Sequence, residues 1–254
     1  MTKHPYTLSN STYKTVREID YQVAVLPWGA TEAHNYHLPY GTDNIECDLI
    51  AAEAARIASL EGSRVIVLPT VPFGVNTGQL DIPLTINMNP GTQLAVLRDV
   101  IGSLEHHSVR KLVILNGHGG NDFKQMIREL APATRLLLCS INWYTCVDPK
   151  QFFDEPGDHA GEVETSIMLH IAPELLLPLA DAGRGAERKM KIRAFRERWA
   201  WTPRDWMKAS SDTGIGNPAA ATAEKGKRYF AAVTERIAEF LVELAAADTN
   251  DLYE

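Results

Sequence analysis

The sequence predicts an α/β fold in which a parallel sheet is covered by helices on both faces. Three observations carry that prediction: short apolar runs recur along the chain, helical patterns separate them, and turn residues follow several of the runs. The runs at 23–27, 65–69, 112–115 and 136–141 are continuous rather than alternating, as expected for strands buried on both faces. Between them, 48–60, 92–107 and 122–130 carry apolar positions at helical spacing, with Asn, Asp or Thr near each start. Two later helices are expected at 162–170, which stops before Pro173, and at 222–247, which is long and Ala-rich and should dock on the outside.

Composition bounds what such a fold can do. With 254 residues, 45% hydrophobic and 22% charged, the chain can bury a full core and is not disordered. A formal net charge of −7 opposes a phosphate backbone, so nucleic acid is not expected as a partner. Cys47, Cys139 and Cys146 form no CxxC pair and no disulfide framework, which points to a reducing compartment. The polar stretch Met1 to Asn10 lacks the apolar core of a secretory signal, and no run approaches the ~20 apolar residues that span a bilayer. A soluble, cytoplasmic protein with no membrane partner is the expectation.

The segment 184–208 stands apart, with nine Arg and Lys residues interleaved with Trp199, Trp201 and Trp206. It resembles a stacking surface for nucleic acid, but in an acidic chain a subunit contact, or a lid bringing a basic residue to an anionic substrate, explains it better.

In parallel α/β sheets ligands bind beyond the carboxyl ends of the strands, and here those loops are rich in ligand-type residues. After the first strand come Glu32, His34, His37 and Asp43 on a loop held by Gly and Pro. Neutral nitrogen and anionic oxygen from a constrained backbone suit a divalent metal, and Glu32 and His34, two apart on an extended segment, point to the same side. After the third strand, Asn116-Gly117-His118-Gly119-Gly120-Asn121 sets an imidazole among glycines at a strand-to-helix turn. A phosphate loop is the competing reading, but the spacing is neither GxGxxG nor GxxxxGK[ST]. A third cluster, His159-Ala160-Gly161-Glu162-Val163-Glu164-Thr165-Ser166, opens a helix with two carboxylates. Glu162 suits the helix dipole, whereas an inward Glu164 needs a cation or hydrogen bonds to offset its burial. No GxSxG elbow is present for a serine hydrolase.

The three clusters, in this order, resemble the creatininase (creatinine amidohydrolase) family, in its His-Gly-Gly-Asn branch. The matching region spans residues 20–175 and lies in a single domain over 1–254, with 180–254 packing on it or on a neighbouring subunit. The resemblance implies a three-layer α/β/α sandwich with a mainly parallel sheet and two divalent metal ions, zinc, manganese or iron, at the strand ends. It implies Glu32 and His118 on one metal, His34 on the other, Asp43 bridging both, and His159 as the proton shuttle to the leaving nitrogen. A metal-activated water would then hydrolyse a C–N bond of a small polar substrate, with a cyclic amide first in line. Deformylation, cleavage of a peptide bond in maturing a small peptide, ring opening of a cyclic keto-sugar and a non-catalytic metal-binding role are the alternatives. Family members assemble as hexamers, and the Trp-rich segment is a candidate contact.

Departures from the family pattern are informative. Gly120 stands where creatininase itself has a carboxylate for the second metal, and Glu164 is expected to complete that site, or else to serve as a base. Asn76 replaces a substrate-contacting Ser, Leu84 a usual Gly, Asn35-Tyr36 a Gly-Pro, and Glu155 a Trp, which removes much of a flat aromatic creatinine pocket. Asn76, Gly119 and His37 are the expected substrate contacts, together with Trp143, whose position is either pocket wall or core.

Overall fold

The computed structural model describes residues 5–254; of the polar Met1 to Asn10 stretch, residues 1–4 lie outside the described residues. The elements are α1 (Tyr13–Val16), β1 (Val23–Trp28), α2 (Thr42–Leu60), β2 (Val65–Val67), α3 (Pro90–His106), β3 (Lys111–Asn116), α4 (Phe123–Leu130), β4 (Leu137–Asn142), α5 (Glu162–Ile171), α6 (Arg193–Arg196), α7 (Trp206–Ala209) and α8 (Ala223–Ala246). The four strands form one all-parallel sheet in the order β2-β1-β3-β4.

Alternate residues of each strand feed two cores. Val23 and Val25 of β1, Val65 and Val67 of β2 and Val113 and Leu115 of β3 face α2 and α8, with Ile167 of α5. Ala24, Leu26, Trp28, Ile66, Leu112 and Ile114 face Leu97, Ile101 and Leu104 of α3 and Phe123, Met126 and Leu130 of α4. The fold is therefore a three-layer α/β/α sandwich, and each fully buried Val, Leu or Ile contributes about 1.5–3 kcal/mol to holding the layers together.

Helix ends follow local chemistry. The Asp122 side chain caps α4 by accepting from Lys124 N, and Thr222 caps α8 by accepting from Lys225 N. Lys111 at the start of β3 donates to the carbonyls of Leu244 (2.6 Å), Ala245 (3.0 Å) and Ala247 (2.7 Å), closing the C-terminus of α8 against the sheet. A Cβ at Gly226 would collide with the Ser166 carbonyl, so this glycine lets α8 lie close on α5.

One boundary differs materially from the sequence expectation. The helix expected at 48–60 starts at Thr42, because its first two turns bury Thr42, Asp43 and Glu46, which an apolar period cannot register. Asp43 is thus a residue of the first helical turn rather than of the loop. Strand β2 stops at Val67, two residues short of Pro69. Among the described residues no helix is long and apolar enough to cross a membrane.

Topology places the site. Adjacent strands β1 and β3 send their following helices to opposite faces, α2 to one and α4 to the other, which opens a crevice beyond their carboxyl ends. The segment 177–216 runs across this region: Leu177 N donates to His37 O, and Asn35 exchanges hydrogen bonds with Gly183. Trp199 and Trp201 on this segment are 75% and 84% exposed.

Candidate metal centre

Glu32 and His34 follow β1, Asp43 sits in the first turn of α2, His118 follows β3, His159 precedes α5 and Glu164 lies within it. All but Glu164 are buried below a tenth exposure, and the six converge. Asp43 joins them: its Oδ1 is 3.0 Å from His34 Nε2 and its Oδ2 is 3.1 Å from His118 Nδ1. Glu32 Oε1 is 3.1 Å from His118 Nδ1, 3.6 Å from His159 Nδ1 and 3.9 Å from His34 Nε2.

The outer nitrogen of each imidazole is tied to a backbone carbonyl, which can only accept. His34 Nδ1 donates to Glu32 O (3.1 Å), His118 Nε2 to Val75 O (3.0 Å) and His159 Nε2 to Ala33 O (2.9 Å). In the neutral tautomer this fixes, the inner nitrogens carry lone pairs aimed at carboxylate oxygens, an arrangement that needs a proton or a metal cation between them. Without a cation, a proton fills that place. Burial pulls the His34 imidazole down, but Asp43, with Glu164 and Glu32, lifts it to about 10. Burial opposes ionisation of Asp43 too, yet His34 and His118 hold its carboxyl well below the usual range. Asp43 Oδ2, although 3.1 Å from His118 Nδ1, makes no well-formed hydrogen bond.

Two sets of donor atoms are close enough to share an ion through Asp43, namely Glu32, Asp43 and His118, and His34, Asp43 and Glu164. A third set, Glu32, His34 and His159, overlaps both. The buried nitrogen and oxygen donors thus fit hard or borderline divalent cations.

Supporting contacts include residues the sequence did not single out. Gln79 Nε2 donates to Glu32 Oε2. Asn121 donates to Asn116 Oδ1 (2.9 Å) and accepts from Gln93 (2.8 Å) and Val75 N (3.0 Å), which fixes the His118 loop. Trp206 of α7 packs edge-on against His159 at 4.7 Å between centroids, and Arg204 lies over the Trp206 ring while pairing with Asp158 (2.9 Å). No local motif marks Gln79, and Trp206 was visible only as part of an aromatic, basic segment. Glu162, suspected of serving its own helix terminus, pairs with Lys225 of α8 and accepts from Glu155 N (3.0 Å).

The expected substrate contacts are placed unevenly. Asn76 is buried, with Nδ2 on Ile86 O (3.1 Å) and Oδ1 without a partner. Gly119 is exposed, and a Cβ there would meet nothing within 4 Å. His37 is buried behind the cluster with Nε2 2.9 Å from Thr165 Oγ1. Trp143 is 1% exposed and belongs to the core beside Tyr144 and Tyr229, so in this conformation its ring is core rather than pocket wall.

Comparison with known proteins assigns the family. The creatininase family model, described as creatinine amidohydrolase, matches residues 9–241. The mycofactocin precursor peptide peptidase of Mycobacterium tuberculosis is 32% identical over 226 residues, covering 83% of this chain and 81% of that protein. The crystal structure of a Bacteroides fragilis protein provisionally named creatinine amidohydrolase superposes with a TM-score of 0.92 at 48% identity and covers 98% of both chains. Creatininases solved in Zn-Zn and Mn forms share the fold, with TM-scores of 0.77 and 0.75 at 23% identity, over 95% of this chain and 98% and 99% of theirs. The chain belongs to the creatininase family of hydrolases.

Proposed function

We propose that this hydrolase uses two divalent cations to cleave a C–N bond in a small polar substrate, with a cyclic amide as the first candidate. One observation carries the reading: imidazoles with their outer nitrogens tied to backbone carbonyls turn their inner nitrogens onto the two oxygens of one buried carboxylate, Asp43. Glu32, Asp43 and His118 would hold one cation and His34, Asp43 and Glu164 the other, with zinc, manganese and iron all suited to these donors. When bound, such a pair supplies a water of lowered pKa and positive charge opposite a developing oxyanion.

The chain's own groups supply the rest. His159, its Nε2 held by Ala33 O, keeps Nδ1 turned to the cluster and carries a proton from the attacking water to the leaving nitrogen. Trp206 against His159 shields that side from bulk water, and the free Oδ1 of Asn76 is an acceptor for a substrate N–H. A peptide bond is the second reading, favoured by the 32% identity to a peptidase. The family's homo-oligomer belongs to the same proposal, with Trp199 and Trp201 at its contact; Trp201→Asp is expected to lower the sedimentation coefficient, and an unchanged value removes that contact.

The experiment is metal counting on wild type and Glu164→Ala, followed by turnover of cyclic amides, formamides, a cyclic keto-sugar and short peptides. Two metals per wild-type chain, one in the variant and hydrolysis of a cyclic amide are expected. Peptide turnover alone shifts the substrate to the second reading. No turnover by metal-replete protein replaces catalysis with a metal-binding role.

A further inference from the structure

One acidic side chain behind the centre has no role in the account so far. Glu46 lies on α2 three residues after Asp43, one turn along the same helix face. It is completely buried, and neither of its carboxyl oxygens has a hydrogen-bond partner. Glu162 has Lys225 and Glu32 has Gln79, so Glu46 is the buried glutamate left bare among the described residues. Its neighbours on α2 that face the sheet are Cys47, Ile50, Ala51 and Ala54, among which an apolar residue would sit without desolvation cost. The charged groups acting on it are the Glu164 and Asp43 carboxylates, which add to burial in pushing its carboxyl well above the usual range. A bare buried acid facing two further acids is costly in the metal-free chain and becomes favourable only if positive charge arrives beside it.

The donor count shows where that charge is needed. Glu32, Asp43 and Glu164 bring three negative charges to a centre built for two divalent cations. The His118 loop cannot add a fourth, because a Cβ at Gly120 would collide with the Val75 carbonyl and the His118 ring. No set of converging ligand atoms includes Glu46 among the described residues, so it acts from outside the ligand shell.

We propose that Glu46 is a positioning residue for the second cation: from behind Asp43 and Glu164 it supplies the fourth negative charge of the centre and sets how tightly the His34, Asp43 and Glu164 position holds a divalent ion. This inference rests on the two-cation reading of the centre. It gives α2 a double task, with Asp43 at the ligand shell and Glu46 one turn behind it.

The test is calorimetric titration of Mn²⁺ or Zn²⁺ into chelator-stripped wild type, E46Q, E46L and E46D, with the melting temperature of each form recorded with and without metal. Wild type is expected to bind in two steps. In E46Q and E46L the weaker step should lose about tenfold in affinity, equivalent to ~1.4 kcal/mol, while the tighter step stays within about threefold. E46D, which keeps the charge, should restore most of the loss. E46L should also melt higher than wild type without metal and gain less on metal addition. If the isosteric, neutral E46Q binds both equivalents as wild type does, Glu46 is only a buried neutral acid and the proposal is overturned. If wild type itself takes up a single cation or none, the two-cation reading fails and this inference falls with it.

Discussion

The two halves of the centre are built differently, although they share Asp43. The half made by Glu32 and His118 rests on the ends of adjacent strands β1 and β3, and its ligands are braced from several segments: Gln79 holds Glu32, Val75 O holds His118, and Asn116, Asn121 and Gln93 lock the loop behind it. In the half made by His34 and Glu164, His34 lies on a turn, and Glu164, in the first turn of α5, is held from the turn before that helix. His34 opens a tight turn closed by a bridge to Leu38, with Asn35 at φ 54°, and Glu164 accepts from the N–H of Ala160, itself at φ 49°. Left-handed conformations at non-glycine residues cost of order 1–3 kcal/mol each. Orphaned buried atoms lie on both sides, Asp43 Oδ2, Gln79 Oε1 and Gln93 Oε1 about the first half and both Glu46 oxygens and His37 Nδ1 about the second, but only Glu46 is a carboxylate with neither oxygen partnered among the described residues. One half is held by side-chain amides that reach its ligands from other segments; the other keeps a bare buried carboxyl, Glu46, at its back.

The sharpest way to break the comparison is to remove what the halves share. Asp43→Asn keeps the volume but replaces one carboxylate oxygen with a donor, so neither His34 Nε2 nor His118 Nδ1 keeps its present environment. Loss of both cations is expected, with a fall in kcat/KM of about 10³-fold or more, corresponding to ~4 kcal/mol of lost transition-state stabilisation. Metal analysis of the purified variant checks it. Retention of one full equivalent would show that the halves are independent and that Asp43 does not bridge.

The same asymmetry governs what could be read from the sequence. The four strands are legible as continuous apolar runs, the helix at Pro90–His106 by its apolar period at Leu97, Ile101 and Leu104, and the helix at Glu162–Ile171 by its acidic first turn, the apolar Ile167-Met168-Leu169 and the stop before Pro173. The first turns of α2 are not, since their inward positions are Thr42, Asp43 and Glu46, which look solvent-facing to any hydrophobic period. His34, Asp43 and His118 were legible as a motif because ligand types cluster after strands. Gln79, Gln93 and Glu46 were not, because single Gln and Glu residues carry no local signal and acquire meaning only when a fold buries them. Trp143 was open in the sequence between pocket wall and core, and packing against Tyr229 of α8, far along the chain, makes it core. Glu164 lay between, with its helix legible and its direction supplied by the structure.

The smallest expected effect tests the shell of the weaker half. His37 sits behind His34 with Nε2 on Thr165 Oγ1, one residue from Glu164, and burial followed by the nearby His34 charge lowers its imidazole from 6.5 to about 4. A base depressed in the folded state is protonated first in the unfolded chain, so stability present above pH 6.5 drains away as pH falls toward 4. His37→Gln keeps a donor for Thr165 and removes the titration. At pH 7 it should cost at most about 1 kcal/mol, the worth of one hydrogen bond. Between pH 7 and 5, urea denaturation of metal-free protein should show a shallower loss for the variant than for wild type; parallel curves would mean that His37 is not held neutral. His34 works in the opposite sense in the metal-free chain. Raised to about 10 after burial is overcome by Asp43, it contributes fully below pH 6.5 and loses its contribution as pH rises toward 10. The two imidazoles, three residues apart, therefore favour the metal-free fold from opposite sides of pH 6.5, and a cation at His34 should abolish the alkaline limb while leaving the acid limb of His37 in place.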